Sequence, residues 1–362
     1  MAFPVPLRAH LKNLAAYVPG KPVEEVEREL GITGAVKLAS NENPLGPSPR
    51  VAEALRAAID QVQRYPDGSV FYLKRALAAR LGVGPERLMV GHGSNELLVL
   101  LAQVVLEPGD EVLYADPSFV VYPIAAKLFQ AVGRPVPLKD HTHDLPAFTA
   151  ALGPRTRLVY LCNPNNPTGT VVPLLAVEAF LKTCGPDVLV VLDEAYYEYV
   201  EMKTYFESVR LLEKYPNLVI LRTFSKAYGL AGLRVGYGLG DPALVDAFQR
   251  VRQPFNVNSL ALAGAEAALG DGDHVRKVLD LNRASRAAIE GGLDRLGLAH
   301  PPSHANFVYF QAADAPALYG SLLAQGVITR PMGPRALRVT TGTMEETERF
   351  LSTLEKTMGA KP

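Results

Sequence analysis

Short apolar runs alternate along the first two thirds of the chain with longer stretches whose apolar residues recur every three to four positions. The runs are typical of strands buried on both faces, and the longer stretches are typical of helices. The pattern predicts strands at 87–90, 111–114, 158–161, 188–192, 218–221 and 233–239. It predicts helices at 96–106, 120–132, 174–184 and 242–251. This alternation indicates an α/β domain with a mainly parallel sheet.

The pattern changes after residue 257. Long helices are predicted at 259–269 and 274–296, the second interrupted by Gly291 and Gly292. Shorter elements follow at 306–310, 317–325, 327–330, 337–340 and 345–358. We therefore expect a large α/β domain over residues 36–257 and a smaller α+β domain over residues 258–362. The N-terminal segment 1–35, with a predicted helix at 23–30, is expected to pack with the small domain.

Composition excludes several classes of partner. The 362 residues include 37 Lys+Arg and 37 Asp+Glu, so no net basic field would attract nucleic acid or an anionic membrane. The longest apolar run, 97–106, is about half the length of a membrane span. Cys162 and Cys184 fit neither a disulfide framework nor a zinc site, which favours a reduced cytoplasm and no bound metal.

Candidate chemistry follows the predicted strands, at the sheet edge where ligands of α/β proteins bind. The first candidate segment contains Gly93, Ser94 and Asn95, just before a helix. Backbone N–H groups at a helix N-terminus can bind phosphate, although an ordinary helix cap has the same sequence. The second candidate, residues 162–169, combines two prolines with three asparagines and is typical either of a turn or of a shaped amide-rich site.

Two charged residues complete the set. Asp193 directly follows an apolar strand, where a carboxylate is costly unless it meets a cation or a strong donor. Lys226 lies in an apolar and aromatic context, which lowers the pKa of an amine and makes it a nucleophile for aldehydes. With Ser94, Ser225 and Arg234 as phosphate donors, these residues suit an aldehyde on a phosphorylated pyridine ring.

At these residues the chain resembles the fold-type I pyridoxal-phosphate aminotransferases, whose large domain is aspartate aminotransferase-like with a seven-stranded sheet. More narrowly, it resembles the histidinol-phosphate aminotransferase family of histidine biosynthesis. The segments that carry the resemblance are 38–46, 64–67, 163–169, 193–196, 222–227, 230–234 and 337–342. Aromatic or broad-specificity amino-acid aminotransferases, a threonine-phosphate decarboxylase and a non-catalytic pyridoxal-phosphate-binding regulator remain alternatives.

The resemblance implies roles for individual residues. Lys226 would bind the cofactor as an imine, and Asp193 would pair with the pyridine nitrogen. Asn166 and Tyr196 would bind the ring oxygen, and Phe119 would offer an aromatic face. The phosphate would be bound by Gly93, Ser94, Asn95, Ser225 and Arg234. Tyr65 would reach the phosphate of the neighbouring subunit, which implies a homodimer.

Substrate residues are also implied by the resemblance. Arg338 would bind the anionic end of the substrate, and Arg330 would be a second arginine for a phosphate. Tyr17 would close over the substrate, and Asn43 would contact it from the segment 38–46. The implied reaction transfers the amino group of histidinol phosphate to 2-oxoglutarate, yielding imidazole acetol phosphate and glutamate.

Overall fold

The computed structural model describes residues 5–14, 16, 20–202 and 207–359, and it builds them into sheets flanked by helices. The strands of the described residues are β1 (Val36–Lys37), β2 (Leu88–Gly91), β3 (Glu111–Asp116), β4 (Val132–Pro137), β5 (Thr156–Cys162), β6 (Leu189–Asp193), β7 (Leu218–Thr223), β8 (Gly236–Leu239), β9 (Phe307–Gln311), β10 (Val327–Ile328), β11 (Arg330–Pro331) and β12 (Ala336–Thr340).

The helices lie mainly between these strands. They are α1 (Val23–Leu30), α2 (Pro49–Ala58), α3 (Phe71–Leu81), α4 (Ser94–Val105), α5 (Val121–Leu128), α6 (Leu145–Ala151), α7 (Leu174–Leu181), α8 (Pro242–Val251), α9 (Ser259–Leu269), α10 (Gly272–Arg295), α11 (Ala315–Ala324) and α12 (Met344–Gly359).

The largest sheet has seven strands in the order β2-β8-β7-β6-β5-β3-β4. Strands β3 to β7 pair in parallel, and β8 is antiparallel to both of its neighbours. The prediction of an α/β fold with a mainly parallel sheet is therefore confirmed. Parallel strands need crossover connections, and the intervening helices provide them.

Both faces of this sheet are covered. Along β5, Val159 and Leu161 pack into one apolar core, whereas Leu158 and Tyr160 pack into the core on the opposite face. Side chains of successive strand residues point to opposite faces, so a strand covered on both sides must be apolar throughout. This is why the central strands have uninterrupted apolar sequences.

A smaller sheet, in the order β11-β12-β9, carries a separate core beneath α10 and α12 that includes Phe310 and Phe350. The N-terminal segment reaches this part of the molecule, because β1 pairs in parallel with β10 and Val26 packs with Ile328. The division of the chain at residues 35 and 257 stays a prediction.

Several predicted elements differ from the structure. Gly291 and Gly292 do not interrupt α10, because Gly292 is a site of close packing: an added Cβ would lie 2.4 Å from Leu351 Cδ2. The helix predicted at 120–132 ends at Leu128, and the edge strand β4 follows it. The predicted strand 233–239 begins only at Gly236, since Arg234 has a left-handed backbone with φ of 60°.

The strand predicted at 327–330 is two strands that join different sheets: β10 pairs with β1, and β11 pairs with β12. Within the described ranges, none of the helices combines the length and the apolar character needed to cross a membrane.

Candidate active site

The loops that follow β3, β5, β6 and β7 meet at the carboxyl edge of the large sheet and enclose a cavity of about 610 Å³ together with residues of β11 and β12. Ten of the predicted cofactor-binding residues line it: Gly93, Ser94, Asn95, Phe119, Asn166, Asp193, Tyr196, Ser225, Lys226 and Arg234. The fold therefore brings together residues that are more than 130 positions apart in the sequence.

Lys226 lines the wall of this cavity. Its Nζ donates to the backbone carbonyls of Ser40 and Asn41, each at 3.2 Å. Burial, together with the charges of Arg338 and Arg234 and against the opposing effect of Glu42, lowers the pKa of Lys226 to about 8. A larger share of this amine is therefore uncharged near neutral pH than for an ordinary lysine, and the uncharged form can act as a nucleophile or as a proton acceptor.

Asp193 supplies a buried carboxylate at the end of β6. Tyr122 donates its hydroxyl hydrogen to Asp193 Oδ2 at 2.8 Å, and the backbone N–H of Ala195 donates to Oδ1 at 3.2 Å. Burial raises the pKa of Asp193 to about 6, against the effect of the Tyr122 hydrogen bond. The two donors keep the carboxylate in place, and its charge is available for a cationic partner in the cavity.

The N-terminus of α4 forms one end of the cavity. Gly93 has φ of 78°, and a Cβ added there would lie 2.7 Å from Nη2 of Arg234, so only glycine allows the guanidinium so close to this backbone. Nη1 of Arg234 lies 3.5 Å from the hydroxyl of Ser225. A guanidinium, a hydroxyl and helix N–H groups together are a donor set suited to phosphate.

Polar side chains also line the wall near Lys226. The Tyr196 ring centroid lies 5.8 Å from Lys226 Nζ, and the Tyr196 hydroxyl accepts a hydrogen bond from Asn41 Nδ2 at 2.9 Å. Asn166 lines the cavity, and its Oδ1 accepts from Arg338 Nη1 at 2.5 Å. Phe119 contributes an aromatic face near the same wall.

Two arginines of the small sheet form the opposite wall. Arg330 and Arg338 are direct partners in the antiparallel β11–β12 pair, so their side chains leave the sheet on the same face. Arg338 is held by the Ala39 carbonyl at 2.8 Å from Nη2, and its guanidinium carbon lies 5.2 Å from the centre of the Phe307 ring. Like charges placed opposite one another destabilise a sheet, and an anion bound between them would offset that cost.

This donor set fits a phosphorylated pyridine aldehyde. Lys226 offers the amine for the aldehyde, Asp193 the charge for a protonated ring nitrogen, and the Gly93 backbone with Arg234 the cradle for the phosphate. The described residues contain no group of three or more His, Cys, Asp or Glu side chains that could hold a metal ion.

Comparison with known proteins identifies the family. The model of the family Aminotransferase class I and II matches residues 33–354 of this chain. The chain belongs to the class I and II aminotransferases.

Individual relatives narrow the comparison. The protein named Histidinol-phosphate aminotransferase 1 from Nitrosococcus oceani is 49% identical over 352 residues, covering 96% of this chain and 95% of the relative. Histidinol-phosphate aminotransferase 2 from Pseudomonas aeruginosa is 49% identical over 355 residues and covers 96% of each chain. The crystal structure of histidinol-phosphate aminotransferase from Sinorhizobium meliloti in complex with pyridoxal-5'-phosphate has a TM-score of 0.92 at 32% identity, and the match covers 99% of each chain.

Two predicted site residues of this aminotransferase that the structure describes do not line the cavity. Asn43 lies beside it, where its side-chain nitrogen donates to the carbonyls of Ala227 and Gly46 at 3.1 and 3.3 Å. Tyr65 is 82% exposed and stacks on Phe255 with ring centres 4.7 Å apart. Tyr17 lies outside the described residues.

The aminotransferase site also contains residues that sequence reasoning did not select. Asn41 and Glu42 line the cavity within the segment 38–46, where Asn43 was the residue chosen. Tyr122, which donates to Asp193, lies in a helix whose apolar sequence gives no sign of a polar role. The only signal was proximity, since each residue lies within a few positions of one that was selected.

Proposed function

We propose that this chain is a pyridoxal-phosphate-dependent aminotransferase that converts histidinol phosphate and 2-oxoglutarate to imidazole acetol phosphate and glutamate, a step of histidine biosynthesis. The named relatives support this assignment. The observation that carries the choice of a phosphate-bearing substrate is the cross-strand pair of Arg330 and Arg338. Two guanidinium groups suit a dianion better than a single carboxylate, because each can bind two oxygens at once.

Bound pyridoxal phosphate supplies an electron-withdrawing ring that stabilises negative charge on the substrate carbon next to the amine. The chain holds it at both ends. Asp193 pairs with the ring nitrogen, and its carboxylate is ionised there because a bound cation offsets the effect of burial on its pKa. The phosphate is bound by the backbone at Gly93, by the hydroxyls of Ser94 and Ser225, and by the guanidinium of Arg234.

Lys226 would hold and move the protons of the reaction, because its amine lines the cavity that the cofactor and the substrate would share. Its pKa of about 8 leaves a minority of the amine uncharged near neutral pH, and this form could accept a proton from the substrate carbon and return one to an adjacent carbon. The carbonyls of Ser40 and Asn41, each 3.2 Å from Nζ, keep the amine at the cavity wall. Tyr196 and Asn166 orient the ring through its oxygen.

A substrate panel tests this assignment. Glutamate formation from 2-oxoglutarate is measured with histidinol phosphate, histidinol, phenylalanine and threonine phosphate as the other substrate. We expect histidinol phosphate to give the highest kcat/KM, and removal of its phosphate to lower kcat/KM by at least about a hundredfold. Equal values for histidinol phosphate and phenylalanine would contradict the assignment, and CO₂ release from threonine phosphate would favour the decarboxylase.

A variant of Lys226 tests the chemistry itself. Lys226→Ala is expected to lose turnover and the visible absorption of the lysine-bound cofactor, because alanine has no amine that could form the imine. Arg330→Lys serves as the matched variant for substrate binding, and we expect it to raise KM for histidinol phosphate more than for glutamate. Full turnover by Lys226→Ala without an added amine would show that the lysine is not required.

We also propose that the enzyme is a homodimer in which Tyr65 of one protomer reaches the cofactor phosphate of its partner. The support is two exposed aromatic pairs, Tyr65 with Phe255 and Phe71 with Tyr72, whose residues are 44–82% exposed in the single chain. A surface of this kind is typical of a protein–protein contact. The cytoplasmic location stays a prediction from the sequence.

Hybrid dimers test the shared site. Lys226→Ala and Tyr65→Ala protomers, mixed and reassociated, form one site that has both native residues. We expect reassociation to restore activity above that of either parent, and sedimentation to show a dimer at micromolar concentration. A monomer, or hybrids no more active than the parents, would overturn the proposal.

A further inference from the structure

Asn41 occupies an unusual position beside Lys226. It is 1% exposed and has φ of 55°, a left-handed conformation that asparagine tolerates better than most other non-glycine residues. Its backbone oxygen accepts from Lys226 Nζ at 3.2 Å and from Asn306 Nδ2 at 3.0 Å. Its backbone N–H donates to the Thr340 hydroxyl at 2.9 Å. The residue is therefore fixed from both the large and the small sheet.

The side chain of Asn41 sets a direction of hydrogen bonding. Its Nδ2 donates to the Tyr196 hydroxyl at 2.9 Å, and its Oδ1 accepts from the Thr340 hydroxyl at 3.2 Å. Thr340 thereby uses both functions of its hydroxyl, accepting from the Asn41 backbone and donating to the Asn41 side chain. An amide nitrogen can only donate, so the Tyr196 oxygen must accept in this bond, and its own hydrogen is directed elsewhere.

We propose that Asn41 is a positioning residue that turns the hydroxyl hydrogen of Tyr196 into the cavity, toward the ring oxygen of the cofactor. This inference rests on the proposed function, because it needs a bound ring with an acceptor oxygen. Tyr196 and Asn41 both line the cavity, and Asn41 approaches the Tyr196 hydroxyl from the segment after β1. Without Asn41, the hydroxyl could rotate and present a lone pair to the ring oxygen in place of the hydrogen.

The same contacts connect Tyr196 with the substrate arginine. Thr340 lies on β12 two residues after Arg338, and Arg338 donates to the carbonyl of Ala39, two residues before Asn41. Side chains on β12 and backbone on the segment 39–41 are thus joined at two points. Asn41 therefore links Thr340 of the small sheet to Tyr196, the residue proposed to contact the cofactor.

Ionisable groups from several elements face Tyr196 and Lys226, and each contributes to any titration measured there. They are Asp193 from β6, Cys162 from β5, Arg338 from β12, Arg234 from the turn before β8, and Glu42 from the segment after β1. The test must therefore separate the direction of one hydrogen bond from a change in the surrounding charge.

The substitution Asn41→Asp reverses the bond while keeping the shape. An ionised aspartate only accepts, so it would draw the Tyr196 hydrogen away from the ring oxygen. The readout is the pH dependence of the visible absorption of the cofactor-loaded protein. We expect the midpoint of this titration to rise by about one pH unit, the size of a hydrogen bond to a charged group. Tyr196→Phe is expected to raise the midpoint by a similar amount.

A double-mutant comparison separates hydrogen-bond direction from charge. The negative charge that Asn41→Asp introduces acts whether or not Tyr196 is present, whereas a reversed hydrogen bond needs the Tyr196 hydroxyl. We therefore expect Asn41→Asp to shift the midpoint much less in the Tyr196→Phe background. Equal shifts in both backgrounds would overturn the inference. Asn258→Asp, at the exposed N-cap of α9, is the matched control and is expected to leave the midpoint unchanged.

Asn41→Gly provides a second, uncharged test if Asn41→Asp does not fold. Glycine accepts φ of 55° without strain, so the backbone contacts with Lys226 and Thr340 are retained. We expect a smaller rise in the midpoint and a fall in kcat of about tenfold with little change in KM. One combination of results would refute only this inference: the wild type shows the visible absorption, Tyr196→Phe shifts its midpoint, and Asn41→Gly has the wild-type midpoint. A wild-type protein with no visible absorption after cofactor addition would refute the proposed function instead.

Discussion

Asp193 and Glu194 are consecutive carboxylates at the end of β6, and both are almost completely buried, at 3% and 0% exposure. Their surroundings differ. Asp193 shares its face of the sheet with Tyr122, Tyr160 and Cys162, which carry no positive charge. Among the described residues, no cationic side chain forms an ion pair with it.

Glu194 has a cationic partner on the other side of the strand. Its Oε2 accepts from Arg222 Nε at 2.9 Å, and Arg222 also donates to the Ser208 hydroxyl at 3.2 Å. The guanidinium carbon lies 3.4 Å from the centre of the Tyr197 ring. This carboxylate is neutralised by the fold itself, and its charge is therefore not available to a ligand.

The contrast shows how a ligand site differs from a structural ion pair. A buried charge costs several kcal/mol unless it is paired, so a fold that leaves one facing a cavity has lost stability that a ligand can restore. By this criterion Asp193 faces a ligand cavity, as its proposed cofactor role requires, and Glu194 belongs to the scaffold. Substitution of each carboxylate by its amide separates the two roles.

The largest expected effect is on activity. Asp193→Asn should lower kcat/KM by about four orders of magnitude, equivalent to about 5 kcal/mol, because the ring nitrogen loses its counter-charge. The unfolding free energy of the cofactor-free protein should not fall, since a buried charge is removed. Steady-state kinetics and urea unfolding measure the two quantities. If Asp193→Asn lowered the unfolding free energy and left kcat/KM unchanged, Asp193 would have a structural role and not the proposed cofactor role.

Glu194→Gln is expected to do the opposite. It leaves the Arg222 guanidinium buried without its counter-charge, which should lower the unfolding free energy by about 3–5 kcal/mol. Activity per folded molecule should remain close to wild type. Glu207→Gln, in the exposed pair with Arg210, is the matched control and should cost less than about 1 kcal/mol. Equal losses in the two variants would mean that burial of the Arg222 pair has no consequence.

The pH dependence of stability sharpens the comparison further. Burial raises the pKa of Asp193 to about 6 in the folded chain, above its ordinary value of 3.8. The folded cofactor-free protein therefore binds more protons than the unfolded chain between pH 4 and 6, and it loses stability as pH rises through this window. Between pH 4 and 6, the unfolding free energy of the wild type should fall by about 2–3 kcal/mol relative to that of Asp193→Asn.

Urea unfolding of both cofactor-free proteins at pH 4, 5, 6 and 7 measures this difference. Glu198, whose pKa burial raises to about 7, contributes equally to both proteins and cancels. Parallel stability curves for wild type and Asp193→Asn would rule out the proposed titration of Asp193.

The smallest effect concerns the hydrogen bond to Asp193. Tyr122→Phe removes the donor at 2.8 Å from Oδ2, which should weaken cofactor binding about fivefold, or by about 1 kcal/mol. Tyr160→Phe is the matched control, because Tyr160 stacks on Tyr122 but donates to the Leu98 carbonyl. Equilibrium titration with pyridoxal phosphate compares them, and equal affinities of the two variants would dismiss a role for the Tyr122 hydroxyl.

The central strands could be predicted because a strand that is buried on both faces has an uninterrupted apolar sequence. The edge strand β4 was not, since it contains Gly133, Pro135 and Pro137 and is exposed along much of its length. Proline is tolerated there because it has no backbone N–H to donate, and on the outer side of an edge strand there is no neighbouring strand to receive one.

The candidate site divides in the same way. Asp193 and Lys226 stand out locally, as charged residues that follow apolar strands. Asn41 does not, because its contacts depend on a left-handed backbone and on Thr340, which lies 299 positions away in the sequence. Long-range hydrogen bonds of this kind have no periodicity or composition by which they could be recognised.

The pairing of Arg330 with Arg338 has a consequence for how specificity can change during evolution. The two strands are joined by the short loop 332–335, and the Met332 N–H closes it on the Ala336 carbonyl at 2.8 Å. Deletion or insertion of one residue in this loop would slip the register and move one arginine to the other face of the sheet. Loop length, without any change in the arginines, would then decide whether a descendant of this enzyme accepts a dianion or a monoanion.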